Sequence, residues 1–169
     1  MKKTIAVSVV LCALVLGLVA PQTVLAHCQI PCGIYGDQLR IEQLKEHITT
    51  IAKSMRLIEE LSAADAAANT NQIVRWVMNK EEHAGEFVEI IEYYFMQQRI
   101  KPLEEGEEGY REYVKQVVLC HHMQVAAMKC KQSTDQQYTQ QLSELVDAFA
   151  KSYFDPEDYE HLEHHHGQE

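Results

Sequence analysis

Apolar residues recur along this chain at helical spacing, and nowhere with the alternation of a half-buried strand. Ile41, Leu44, Ile48, Ile51, Met55 and Ile58 fall three or four residues apart. At 3.6 residues per turn they share one face, which predicts an amphipathic helix over residues 37–61, opened by the turn residues Gly36 and Asp37. Residues 62–69 are small and polar and read as a connection, with Asn69, Thr70 and Asn71 as caps for the next helix. Ile73, Val77, Ala84, Phe87, Ile91 and Phe95 carry a second stripe towards Ile100, where Lys101-Pro102 stops it. Residues 103–109 are acidic, contain two glycines and predict a loop. A third helix is expected over 110–131, with Tyr110, Tyr113, Val117, Val118, Val125 and Met128 facing inward. Ser133 and Thr134, each three residues before a glutamine, give overlapping capping-box signals for a fourth. Its face is Tyr138, Leu142, Leu145, Phe149 and Tyr153, and Pro156 lies past its end. The pattern predicts an all-α fold, a four-helix bundle over 37–155.

The first 26 residues do not belong to that bundle. Met1-Lys2-Lys3, the apolar run 4–20, the helix-breaking Pro21 and the small-residue triplet Val24-Leu25-Ala26 read as a secretory signal peptide. Cleavage after Ala26 would leave residues 27–169 and remove Cys12, and the protein is expected to be exported, periplasmic or secreted. Losing Lys2 and Lys3 takes the formal charge from −10 to −12, which argues against nucleic-acid binding. No long apolar run follows residue 26, so no membrane partner is expected after processing. Residues 156–169 form an acidic tail with His161, His164, His165 and His166; it reads as solvated, with weak metal gathering as the alternative.

Between signal and bundle lies a ten-residue segment, 27–36, that concentrates ligand chemistry. After cleavage His27 would present a free α-amine beside its imidazole, with thiols at Cys28 and Cys32. The amine and the Cys28 amide nitrogen can close a five-membered chelate that the Cys28 thiolate continues. Cys32 can return a second thiolate if Pro31 and Gly33 turn the chain sharply. Two nitrogens and two sulfurs in a plane, with the imidazole free to approach axially, suit Ni(II) or Cu(II) better than tetrahedral zinc. A Cys28–Cys32 disulfide in an oxidising compartment is the competing reading.

The run His27-Cys28-x-x-Pro31-Cys32-Gly33-x-Tyr35 directly after a processing site resembles the nickel hook of nickel-containing superoxide dismutase. The likeness continues through Arg40-Ile41-Glu42, with one residue fewer between Tyr35 and Arg40 than in familiar members, and through a helical body of matching length. The resemblance implies an enzyme that disproportionates superoxide to dioxygen and hydrogen peroxide, with nickel alternating between +2 and +3. By position, His27 would supply amine and imidazole, Cys28 amide nitrogen and thiolate, and Cys32 the second thiolate. Tyr35 matches the tyrosine that closes the anion pocket, and Glu42 the carboxylate that orients the axial imidazole. A homohexamer of four-helix bundles, matured by signal peptidase, is implied as well. The alternative from another class is a non-catalytic exported nickel or copper binder.

The chain departs from the family pattern at two places. A tyrosine near the end of the second helix is replaced, the chain reading Gln98-Arg99-Ile100-Lys101-Pro102, and Tyr93 and Tyr94, one turn earlier, are weak substitutes. An arginine that supports the axial histidine in some members falls at His83, which reads as a surface residue in Lys80-Glu81-Glu82-His83. Lys45, Lys80 and Lys101 are the candidates for steering an anion towards the hook. Cys120 and Cys130 would lie ~15 Å apart on one helix, too far to pair, and are expected to be buried free thiols. His121 and His122 read as packing or surface residues.

Overall fold

One helical run spans Asp37–Glu89 and passes directly into a π-helical stretch, Ile90–Arg99. It breaks once, at Asp65, whose φ of −162° and ψ of 96° are extended rather than helical. The Asp65 carboxylate accepts the Ala68 N–H at 3.0 Å, so this residue caps everything that follows it. We call the limb before the break α1 (residues 37–64) and the limb after it α2 (residues 66–99, π-helical over its last ten). The two run antiparallel: Asn69 donates to the Leu61 carbonyl, Asn79 to Ser54, and Arg99 to Asp37. Helix α3 is Tyr110–Gln132 and α4 is Gln137–Tyr153. The computed structural model describes residues 33–159, and no strand occurs among them. The signal segment, His27, Cys28, Cys32 and the tail histidines lie outside the described residues.

The four expected helices are present, with two of their starts relocated. The second begins at the Asp65 cap rather than at Asn69–Asn71. Asn69 instead satisfies a terminal carbonyl of α1, and the Thr70 hydroxyl bonds back to the Ala66 and Ala67 carbonyls. Ahead of α4, the Asp135 carboxylate accepts the Gln137 N–H at 3.0 Å, while Ser133 accepts from Asp135. An aspartate turn therefore does what the two capping boxes were expected to do.

Ile41, Leu44, Ile51 and Met55 of α1 and Phe87, Ile91 and Phe95 of α2 are fully buried against Leu142, Val146 and Phe149 of α4. The α2 stripe fails near the hairpin tip, where Val77 is exposed with Val74 and Met78. Length explains it. Gln136, just before α4, reaches the Ala52 carbonyl, and Lys80 meets the end of α3, so the hairpin runs past both shorter helices. On α3 the buried strip is Cys120, Met123, Ala126, Ala127 and Cys130, while Val118 and Met128 face out. Of the residues expected inside, Tyr113 and Val117 do pack against the core, while Val118 and Met128 do not, because the small residues of the buried strip let the helix pack closely there. Both thiols are free, and burial pushes them up to about 12 at Cys120 and, with Lys80 opposing, to about 11 at Cys130. No helix among the described residues is long and apolar enough to cross a membrane.

Lys80 is no steering residue. It is buried, and its Nζ donates to the carbonyls of Lys131 at 2.5 Å and Ser133 at 3.3 Å, closing the C-terminus of α3 with a positive charge. Lys80→Met keeps the aliphatic stem but strands those carbonyls, and should lower unfolding free energy by about 2 kcal/mol. A urea titration whose midpoint does not move would show that water satisfies them equally well.

Candidate functional site

The first described residue of the hook segment is Gly33, whose φ of +85° lies in the left-handed region that glycine adopts without strain. Three residues on, Gly36 caps α1 with its backbone, and Asp37 places a carboxylate in the first turn, where the helix dipole favours it. Asp37 collects donors from two other elements. Arg99 gives Nε at 2.8 Å to Oδ1 and Nη2 at 2.5 Å to Oδ2, a two-pronged ion pair. The Tyr94 hydroxyl donates to Oδ1 at 2.5 Å and the Tyr153 hydroxyl to Oδ2 at 2.8 Å. Tyr94 in turn accepts the Gly36 N–H at 2.8 Å. One carboxylate thus ties the first turn of α1 to α2 and α4, and fixes the backbone immediately after Tyr35.

The π-helical winding makes this possible. Tyr94 and Arg99 are five residues apart, which at 100° per residue would set them about 140° apart on an α-helix. In a π-helix, where each N–H reaches the carbonyl five residues back, such a pair shares a face. The Gln98 side chain caps the Tyr93 carbonyl and Ile100 N–H bonds to Phe95, both across five residues. Both Tyr94 and Arg99 therefore reach Asp37.

Tyr35 sits on this platform. Its ring lies 4.4 Å from the Arg99 guanidinium carbon, and Tyr94 meets it edge-on at 5.9 Å between centroids. The Arg40 guanidinium covers Tyr94 at 5.1 Å. Tyr35 remains 40% exposed, and no described residue hydrogen-bonds its hydroxyl. Of the two tyrosines weighed for the vacant family position, Tyr94 takes the place beside Tyr35, while Tyr93 faces outward. Glu42 is half-buried on α1 and has no described partner. His83 is not a solvated surface residue; it is half-buried against His47. Asp37, Arg99 and Tyr153 were not anticipated. Asp37 registered only as a helix start, and nothing linear in the sequence connects it to residues 57 to 116 positions away.

The network has a pH signature. Burial alone would raise the Asp37 carboxyl, but the Arg99, Tyr94 and Tyr153 hydrogen bonds hold it below its usual range. Burial and the bond to Asp37 push Tyr94 up to about 12 and raise Tyr153 as well. A lowered carboxyl stabilises the fold above its unfolded value of about 4, and that stability goes as pH falls through the folded value. A raised phenol stabilises fully below about 10, and that is lost as pH climbs through the folded value. The contribution of this network to the melting temperature should therefore be level from about pH 5 to 9 and fall on both sides, with the lowered His47 adding its own loss as pH drops below about 6.5. In Asp37→Asn the acid limb should flatten, and an acid limb as steep as in the parent would place its origin elsewhere.

A sequence model of the family described as nickel-containing superoxide dismutase matches residues 22–156. That span takes in the whole hook and the four helices. Comparison with curated proteins and with solved structures gave no match.

Proposed function

The chain belongs to the nickel-containing superoxide dismutase family, and on that footing we propose that residues 27–35 form its metal centre, with His27, Cys28 and Cys32 as ligands. It is an oxidoreductase with nickel as its cofactor and superoxide as the substrate that fits its family. The donor chemistry supports the assignment. With Cys120 and Cys130 buried and protonated, the thiolates left in the processed chain are Cys28 and Cys32. Nitrogen and thiolate donors together would suit a late divalent ion such as nickel. The observation that carries the reading is the match across residues 22–156, hook included.

When bound, nickel supplies one-electron chemistry between +2 and +3, so that one superoxide loses an electron and the next gains it with two protons. The protein's part is placement. The His27 amine and imidazole, the Cys28 amide nitrogen and thiolate, and the Cys32 thiolate would hold the ion. Glu42 would accept a hydrogen bond from the imidazole and fix its ring. The Tyr35 hydroxyl would close the pocket for the small anion and donate to it, and protons would arrive through that hydroxyl, backbone amides or water. Tyr94, Arg99 and Asp37 hold Tyr35 and the base of the hook still. Arg40 keeps a positive charge beside the tyrosine pair in an otherwise acidic protein, which favours an anion locally.

Removal of residues 1–26 by signal peptidase would free the His27 amine, and the enzyme would act in the periplasm or outside the cell. Assembly as a homohexamer agrees with the apolar side chains that one chain leaves exposed, Val114, Val118 and Met128 on α3 and Val74 and Met78 at the hairpin tip. The decisive experiment uses a chain beginning at His27, loaded with one nickel, and follows superoxide decay after pulse radiolysis. Decay far faster than with equal free nickel is expected. A loaded protein no faster than the free ion would leave a metal binder without turnover.

A further inference from the structure

Midway along the hairpin, α1 and α2 bring two imidazoles and a carboxylate to one point. His47 Nδ1 lies 2.9 Å from His83 Nδ1, and Glu86 Oε2 is 3.5 Å from each of them. His83 and Glu86 are one turn apart on α2 and so share a face, while His47 reaches them from α1. Hydrogen bonding alone accounts poorly for this. Only one proton can lie between two Nδ1 atoms, and 3.5 Å is long for a charge-assisted bond from either ring to Glu86. The rings, tilted by 52° with centroids 5.1 Å apart, are not stacked. A triangle of these sides does have a point about 2.0 Å from all three corners, which is the length of zinc–nitrogen and zinc–carboxylate bonds.

We propose that His47, His83 and Glu86 form a second metal site, with no ligand residue in common with the hook, that takes a divalent late first-row cation of the Zn²⁺ class. Two histidines and one glutamate are a known open ligand set for zinc, with solvent completing the tetrahedron. Exposure agrees: the side chains are 16%, 28% and 47% accessible in the order His47, His83, Glu86, so the cluster is walled on the α1 side and open on the other. His47 is ready to bind, because burial, backed by the neighbouring His83 against Glu86 and Glu46, lowers its pKa and favours the neutral ligand form. The site stands ten residues along α1 from Asp37, ~15 Å at the helical rise, so it does not share ligands with the Asp37 clamp. A cation there would fasten α1 to α2 near the level where α3 ends and the hairpin starts to run on alone.

The test is calorimetric titration of Zn²⁺ into the processed, nickel-loaded chain with His161, His164, His165 and His166 replaced by asparagine. One equivalent should bind and raise the melting temperature. His47→Asn and His83→Asn should each weaken it by about tenfold or more, and so should Glu86→Gln, an exposed position where misfolding is not at issue. Zinc-edge absorption should show nitrogen and oxygen neighbours without sulfur, and the equivalent should survive Cys28→Ser with Cys32→Ser. No binding in the tail variant, affinity unchanged by all three substitutions, or sulfur at the zinc would each overturn the proposal. Because the readouts are zinc binding and coordination, failure here leaves the hook assignment standing.

Discussion

A chain that keeps Ala26 ahead of His27 is expected to disproportionate superoxide no faster than free nickel, while melting at the temperature of the processed chain. The reason is local. With Ala26 in place the nitrogen of His27 becomes a peptide amide, a far poorer donor until it loses its proton, and the five-membered chelate with the Cys28 nitrogen can no longer start from an amine. The ligand field weakens where a one-electron couple most needs strong donors. The bundle, in contrast, is built from α1 to α4, whose core begins at Ile41, so an added residue at 26 removes no buried contact. Comparing superoxide decay and thermal unfolding on the same two preparations separates the effects. Full turnover from the extended chain would mean that the amine is not a ligand, and a large loss of melting temperature would mean that the terminus has a structural role as well.

Helices were legible in the sequence because their signal is repeated. Ile41, Leu44, Ile48, Ile51 and Met55 report one face five times over, and all five are buried. The α3 face was misjudged where the signal was chemically quiet: Cys120, Ala126, Ala127 and Cys130 carry little hydrophobicity each, yet they occupy the inside because they are small. The helix start at Asp65 was missed since one aspartate among alanines competes poorly with Asn69-Thr70-Asn71 as a visible cap. The proposed hook ligands fall within six residues, so the chemistry proposed for them comes from neighbouring letters. The Asp37 clamp could not be read that way. It joins Asp37 to Tyr94, Arg99 and Tyr153, and two of those partners align only because α2 winds as a π-helix. Read with α-helical periodicity, Tyr94 lies on the wrong side of the helix from Arg99, and the replacement of the family tyrosine by Arg99 looks like a simple loss. With π-helical winding it is an exchange: the ring beside Tyr35 comes from Tyr94, and Arg99 adds a charge beneath it.

Asp37→Ala should accordingly damage both the fold and the metal centre. Four donor groups, Nε and Nη2 of Arg99 and the hydroxyls of Tyr94 and Tyr153, converge on this carboxylate. Its side chain is 15% accessible and that of Arg99 28%, so the pair is largely withdrawn from water. Breaking a fully buried pair costs about 3–5 kcal/mol because the remaining charge is stranded; with partial access at Arg99, about 2–3 kcal/mol is expected, or roughly 7–10 °C in melting temperature for a chain of this size. Asp37→Asn keeps the acceptor for Tyr94 but leaves Arg99 uncompensated, and should fall between the two. The second effect is on nickel. Tyr94 loses the partner that orients its hydroxyl towards the Gly36 N–H, and Arg99 is free to leave the Tyr35 ring, so the base of the hook gains motion that binding must then remove. Nickel affinity and turnover should drop together at a temperature where the variant is still folded, as judged by circular dichroism. A variant destabilised by this amount yet binding nickel as tightly as the parent would reduce Asp37 to a bundle clasp with no bearing on the hook.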